Sequence, residues 1–298
     1  MQRYAFSTPQ GEISICHWSD EKQTDKPVLH WAHANGFNGQ TYNKLLAPLA
    51  ETYDIHAWDA RGHGMTQLPA APRMMKSWYI YRDDLEPLVQ HLADAKGQKI
   101  WLGGHSMGGC ASLLLAAKRP DLVAGLILTD PVIMPGLMAI LSPWLMALRG
   151  RGHVLMELAK KRRAIWPDAA AVEKAYTGRG AFASWQDGFL HDYLAGGLTP
   201  RPDDKENQVA LACDPQWEAA NFKGPQLRLE PWIKKLRVPF TLLMAEKGST
   251  TRCVETFYRP PVAKKIETVA GSSHFIPMEF PDLVRAEISA RMDAGETD

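Results

Sequence analysis

The chain has 298 residues, 34 Lys plus Arg against 33 Asp plus Glu, a formal net charge of +1 and 45% hydrophobic residues. That length suits one large α/β domain, with or without an inserted subdomain, and excludes a disulfide-stapled mini-protein. The balanced charge supplies no long-range field for nucleic acid or an anionic membrane, and the apolar fraction excludes a disordered chain, so function must rest on a local site.

The first residues, Met1 to Pro9, lack the apolar run of a secretory signal, so a cytoplasmic address is expected. Tyr4 to Trp18, turned at Pro9-Gln10-Gly11, reads as an antiparallel hairpin. Strands are then expected at Val28 to Ala32, Ile55 to Trp58, Lys99 to Gly103, Leu122 to Thr129, Phe240 to Ala245 and Ile266 to Val269. Helical patterns alternate with them at Thr41 to Ala50, Met75 to Asp94, Met107 to Lys118, within Thr251 to Tyr258, and at Asp282 to Arg291. This β-α-β-α order predicts an α/β fold with a mostly parallel sheet of about eight strands and helices on both faces.

Between Val132 and Pro231 the alternation lapses into helical periodicity without clear strands. Residues 132–231 are therefore expected to form a helical cap inserted into a core made by residues 1–131 and 232–298. Within the cap, Lys160-Lys161-Arg162-Arg163 reads as a solvated helix face, the run Trp144 to Leu148 as apolar lid, and Pro200-Arg201-Pro202-Asp203-Asp204 as a link. Trp144, Trp166, Trp185 and Trp217 read as packing residues before substrate contacts. The most apolar stretch, Leu122 to Leu148, is interrupted by Asp130, Pro131, Pro135, Gly136 and Pro143, so no membrane-spanning helix is expected. Cys16, Cys110, Cys213 and Cys253 lack metal-site spacing and read as reduced, partly buried thiols. Neither a metal nor an organic cofactor is expected.

The chemistry concentrates in Gly104-His105-Ser106-Met107-Gly108, which closes an apolar strand and opens an Ala- and Leu-rich helix. This is the pattern of a nucleophile elbow, a strained turn that exposes a serine hydroxyl and needs glycines on either side for close backbone approach. At the helix start the Met107 N–H can face a developing oxyanion. A second donor is expected after the first parallel strand, in His33-Ala34-Asn35-Gly36-Phe37, where Phe37 N–H is the candidate. A general base must be a histidine, and His274, between the last strand and the last helix, faces the same sheet edge as Ser106. His105 and His63 read as structural.

These segments, together with Trp58-Asp59-Ala60-Arg61-Gly62-His63-Gly64 and Ser273-His274-Phe275, resemble the α/β-hydrolase fold family, in the branch with a helical cap after the sixth strand. The resemblance covers residues 3–292 apart from the cap and implies a Ser–His–acid triad. One departure matters: the family's usual triad Asp follows the strand read as Phe240 to Ala245, but here the segment is Ala245-Glu246-Lys247-Gly248-Ser249. A minority of the family places the acid after the preceding strand, where this sequence has Asp130, so Asp130 is the expected acid and Glu246 its competitor. The loop from Asp59 to Gly64 resembles a structural loop of the family, with Asp59 and Arg61 expected to bond internally.

The resemblance implies a serine hydrolase acting on a small or medium carboxylic ester, with thioester or carbon–carbon bond hydrolysis as alternatives on the same triad. A serine nucleophile argues against chemistry that needs an attacking carboxylate. Because the usual acid is missing, a ligand-binding module without catalysis is the reading from another class.

Overall fold

The computed structural model describes residues 1–19, 25–134, 152–201, 208–223 and 228–295. Of the cap, Trp144, the run 144–148 and residues 202–204 lie outside them, as do Pro135, Gly136 and Pro143.

In chain order the strands are β1 (Gln2–Thr8), β2 (Gly11–Trp18), β3 (Val28–Ala32), β4 (Asp54–Trp58), β5 (Ile100–His105) and β6 (Val123–Thr129). Three very short strands follow, β7 (Ile165–Trp166), β8 (Leu198–Pro200) and β9 (Val209–Leu211), and then β10 (Phe240–Ala245) and β11 (Lys264–Val269). The main sheet has eight strands in the order β1-β2-β4-β3-β5-β6-β10-β11. β1 and β2 form the expected hairpin, β2 is antiparallel to β4, and the remaining neighbours are parallel.

Strand periodicity explains the two-sided core. Successive side chains point to opposite faces, and Val28, Leu126, Leu128 and Leu242 pack on one side while Leu29, Ile127 and Leu243 pack on the other. On the first side they meet the helices α2 (Tyr79–Lys96) and α3 (Met107–Lys118), numbered after a short α1 (Asn43–Leu46). In α2 the buried residues Tyr81, Leu85, Leu88 and Leu92 recur at the three- and four-residue spacing of one helical face.

The region between β6 and β10 holds α4 (Gly152–Lys160), α5 (Ala169–Tyr176), α6 (Phe189–Gly197), α7 (Pro215–Lys223) and α8 (Glu230–Ile233). It also holds a small antiparallel sheet, β7-β9-β8, which the sequence reading lacked. Strands of two or three residues are too short to show an alternating pattern. After β11 come α9 (Ile276–Glu279) and α10 (Pro281–Gly295), and α10 lays Val284, Ile288 and Met292 against the second face of the sheet.

Other differences from the sequence reading have local causes. Thr41 to Ala50 is one α-turn between two 3-10 turns, the second opened by Pro48, which has no N–H to continue a helix. α2 begins at Tyr79 and not Met75, because Pro72 starts a separate 3-10 turn. The predicted helix within Thr251 to Tyr258 is a 3-10 turn, Val254–Tyr258. β5 runs on to His105, since Gly104 and His105 still pair with Leu128 and Thr129. All four cysteines are free and buried, and burial pushes the Cys110 thiol up to about 12. No helix among the described residues is long and apolar enough to cross a membrane.

Candidate active site

The sheet's carboxyl edge brings together the ends of β5, β6 and β10 and the loop after β11. Ser106 follows β5 and caps α3 with φ 56° and ψ −115°. Only two non-glycine residues among those described have positive φ, Ser106 and Asp130. Such backbone strain persists where the surroundings enforce it. Here they do: the Ser106 N–H donates to Thr129 O at 3.1 Å, and the turn leaves no room for side chains beside it. A Cβ added at Gly108 would lie 2.1 Å from Ala32 O, and one at Gly104 would lie 2.6 Å from the Gly108 carbonyl carbon. Gly108→Ala is therefore expected to destabilise the chain by about 3 kcal/mol, measured as a lower urea midpoint.

His274 and Asp130 meet directly. Asp130 Oδ2 lies 2.6 Å from His274 Nδ1. Asp130 itself is fully buried and its other donors fix it: Ala245 N–H and the Ser249 hydroxyl on Oδ1, Thr250 N–H and hydroxyl on Oδ2. Burial works to raise this carboxyl, but the His274 contact and the Ser249 and Thr250 donors outweigh it and hold the group at about 2. Glu246 is placed elsewhere, accepting from Gly271 N–H at 3.0 Å on an exposed loop.

The histidine is also held through its backbone. His105 Nε2 lies 2.7 Å from His274 O, and His105 Nδ1 lies 2.9 Å from the Tyr42 hydroxyl, which accepts from Ala34 N–H at 3.1 Å. A neutral ring that donates from Nε2 and accepts at Nδ1 satisfies this chain, and burial lowers His105 to about 3. Among the described residues, neither the Ser106 hydroxyl nor His274 Nε2 is committed to another hydrogen-bond partner.

The two predicted oxyanion donors differ. Met107 opens α3, where a first-turn N–H has no carbonyl within its helix. Phe37 N–H donates to Ala34 O at 3.1 Å, closing the turn that Asn35-Gly36 signals in the sequence. Gly36, with φ 76°, passes its own N–H to His63 Nε2 at 3.0 Å.

A family model described as serine aminopeptidase, S33, matches residues 24–178, slightly more than half of the chain. The chain belongs to this α/β-hydrolase family. Human monoglyceride lipase is 30% identical over 127 residues, 42% of this chain and 41% of that protein. The 2-(acetamidomethylene)succinate hydrolase of Mesorhizobium japonicum is 33% identical over 104 residues, 35% of each chain. The alignments thus span well under half the length of these curated relatives. Among solved structures, E-2-(acetamidomethylene)succinate hydrolase superposes with a TM-score of 0.75 at 19% identity, covering 98% of this chain and 99% of that one. The thioesterase domain from the curacin biosynthetic pathway gives 0.72 at 20% identity, covering 97% and 98%. At such identities these likenesses speak for the fold.

In this α/β hydrolase the segment after β6 supplies the surroundings of the site. Trp185 and Tyr193 set their rings 5.3 and 5.6 Å from Phe37, and Trp185 lies 5.9 Å from Phe275, so an aromatic wall stands beside His274. Trp217 is buried and donates to Arg61 O at 3.0 Å, while Trp166 donates to Arg163 O at 2.8 Å.

Two expectations are corrected. Arg162 is not on a solvated face: it pairs with Glu218 at 2.5 Å and donates to the Tyr176 and Tyr193 hydroxyls at 3.1 and 2.8 Å. The Glu218 carbonyl in turn accepts from Asn35 Nδ2 at 3.2 Å, so this pair braces the loop that carries Phe37. The helix α4 ends at Lys160, so Arg162 lies in the turn beyond it, where helical period no longer sets which way a side chain points. Asp59 and Arg61 do not bond to each other either. Asp59 takes Arg3 at 2.7 Å and Gly39 N–H at 2.8 Å, whereas Arg61 clamps Asp84 through two hydrogen bonds of 2.8 and 2.6 Å. Both residues lie past the end of β4, where strand periodicity no longer sets their direction, and each has a partner distant in sequence.

The sequence reading missed Tyr42, Ser249 and Thr250. Nothing marked Tyr42. For the other two a signal existed, since the loop lacking the usual carboxylate offers hydroxyls in its place, suited to donate to an acid coming from β6.

Proposed function

We propose that this chain is a serine hydrolase that cleaves a small or medium carboxylic ester through an acyl-enzyme on Ser106. The observation that carries the reading is the 2.6 Å contact of His274 with Asp130 beside a serine held at positive φ. In the proposed cycle Ser106 Oγ attacks the carbonyl carbon while His274 Nε2 takes its proton, and Asp130 accepts the Nδ1–H and stabilises the imidazolium. The oxyanion is met by Met107 N–H and by Phe37 N–H, the latter shared with Ala34 O. Collapse expels the alcohol, protonated by His274. Water then attacks the acyl-enzyme with His274 again as base, freeing the acid and Ser106.

Residues 132–231 are proposed as the cap that covers this site, with Trp185 and Tyr193 lining the acyl side. The name of monoglyceride lipase favours a carboxylic ester, and the aromatic wall favours an apolar or aryl acyl group of limited length. The test is hydrolysis of p-nitrophenyl esters from acetyl to dodecanoyl, run beside fluorophosphonate labelling. Turnover is expected to be highest at short or medium chains, with one label per chain on Ser106. A folded protein that neither turns over any ester nor takes the label would overturn the proposal and favour a ligand-binding module. Labelling with turnover confined to acyl thioesters would keep the nucleophile and change the substrate class.

A further inference from the structure

The turn that carries Phe37 is held by buried groups that the proposed reaction does not otherwise use. Ala34 N–H donates to the Tyr42 hydroxyl at 3.1 Å, Gly36 N–H to His63 Nε2 at 3.0 Å and Asn35 Nδ2 to Glu218 O at 3.2 Å. Ala34 O differs from these acceptors, because two donors reach it: His33 Nδ1 at 2.7 Å and Phe37 N–H at 3.1 Å. The turn lies against the elbow, since a Cβ added at Gly108 would stand 2.6 Å from His33 O.

The partners of His33 fix its proton. Ala60 N–H donates to Nε2 at 2.9 Å, so in the neutral ring the hydrogen is on Nδ1 and points to Ala34 O. The side chain is fully buried, and burial lowers it to about 4, so at neutral pH the ring carries that single N–H. His63 crosses in the opposite sense: its Nδ1 donates to Arg61 O at 3.0 Å while its Nε2 accepts from Gly36 N–H. The two rings, 4.9 Å apart, thus tie the turn after β3 to the loop after β4.

Resting on the serine-hydrolase mechanism above, we propose that His33 is a positioning residue of the oxyanion hole: by donating to Ala34 O it frees Phe37 N–H for the substrate. A buried carbonyl that loses its only donor carries the cost of an unmade hydrogen bond. Were Phe37 N–H the sole donor, its turn towards the oxyanion would leave Ala34 O unpaired inside the protein, and the resting turn would compete with the transition state. With His33 on the same oxygen, and at the shorter distance, that carbonyl stays satisfied when Phe37 N–H swings away. The gain exists only where negative charge develops on the substrate's carbonyl oxygen, so it acts on kcat and leaves ground-state binding alone.

The experiment compares His33→Asn with His33→Gln. An Asn amide stands near the place of Nδ1 and keeps a donor for Ala34 O, whereas a Gln carbonyl reaches the place of Nε2 and keeps the acceptor for Ala60 N–H. Each variant gives up one buried hydrogen bond, so both are expected to lose similar stability in urea. On a p-nitrophenyl ester, kcat per folded molecule is expected to fall about tenfold to a hundredfold in His33→Gln with KM unchanged, and to stay within about threefold of the parent in His33→Asn. Amide exchange at Phe37, followed by NMR without substrate, should be slower in His33→Gln than in the parent, because Ala34 O then has no other donor; a loosened fold exchanges faster instead. Equal kcat in the two variants, or Phe37 exchange in His33→Gln at or above the parent's rate, overturns the proposal. A parent that neither hydrolyses esters nor takes the fluorophosphonate removes the hydrolase reading, and the exchange comparison alone then decides whether His33 loosens Phe37 N–H.

Discussion

Ser106→Ala is expected to lower ester turnover by about a millionfold and Asp130→Asn by about ten-thousandfold, while Glu246→Gln stays within a few-fold of the parent. The ranking follows from contact. Ser106 supplies the attacking oxygen in the proposed cycle, and no other hydroxyl occupies the elbow. Asp130 holds the His274 Nδ1–H at 2.6 Å, whereas Glu246 spends a carboxylate oxygen on Gly271 N–H. An amide at position 130 presents an NH2 to His274 or to Ala245, so it either favours the wrong ring tautomer or sets two donors against each other. Stability must therefore be followed as well. Asp130 accepts from backbone N–H groups on both oxygens, Ala245 on one and Thr250 on the other, and an Asn in either orientation loses one of these buried bonds at a cost of about 2 kcal/mol. Measuring kcat per folded molecule, with the melting temperature beside it, separates the effects. Equal losses in Asp130→Asn and Glu246→Gln would deny Asp130 the acid role.

What the sequence made legible was local pattern and order. Short continuous apolar runs marked the parallel strands, because a strand buried on both faces has little choice of residue, as Leu126, Ile127 and Leu128 show. The elbow was legible for a related reason: Gly108 faces backbone so closely that any side chain collides with Ala32 O. The edge strand β11 was read short because Lys264, partly buried, and Lys265, exposed, carry no such signal. Contacts between distant segments were not legible. The inward turn of Arg162, the Tyr42–His105 brace and the separate partners of Asp59 and Arg61 depend on which loops the fold happens to bring together. The bond from Phe37 N–H to Ala34 O is local, but a turn and an open oxyanion loop use the same residues, so the sequence could not tell which use the amide has.

Acid should unfold this chain well before its carboxylates titrate. Four of the five buried histidines among the described residues are His30, His33, His63 and His105, within the sheet and its adjoining loops; His56 is the fifth. Burial is the main cause that lowers each of them, to about 3 for His30, His63 and His105 and about 4 for His33. In the unfolded chain they titrate near the ordinary value of about 6.5. The native state is thus the form that binds fewer protons between those limits, so stability is complete above about pH 6.5 and is lost as pH falls. Each histidine contributes a slope of up to about 1.4 kcal/mol per pH unit, and the four together about 5. Against a typical domain stability of about 5–15 kcal/mol, that slope brings unfolding to roughly pH 5. Asp130, held at about 2, adds to the loss only below about pH 4. Urea midpoints between pH 7.5 and 4.5 should fall steeply below 6.5, and a flat profile down to pH 5 would refute the assignment. His30 isolates one quarter of the effect: both its ring nitrogens are buried without partners, so His30→Leu removes a protonation site and two unsatisfied atoms together. That variant is expected to be at least as stable as the parent at pH 7.5 and to lose stability with a shallower slope below 6.5, by one proton's worth, because the other three rings remain.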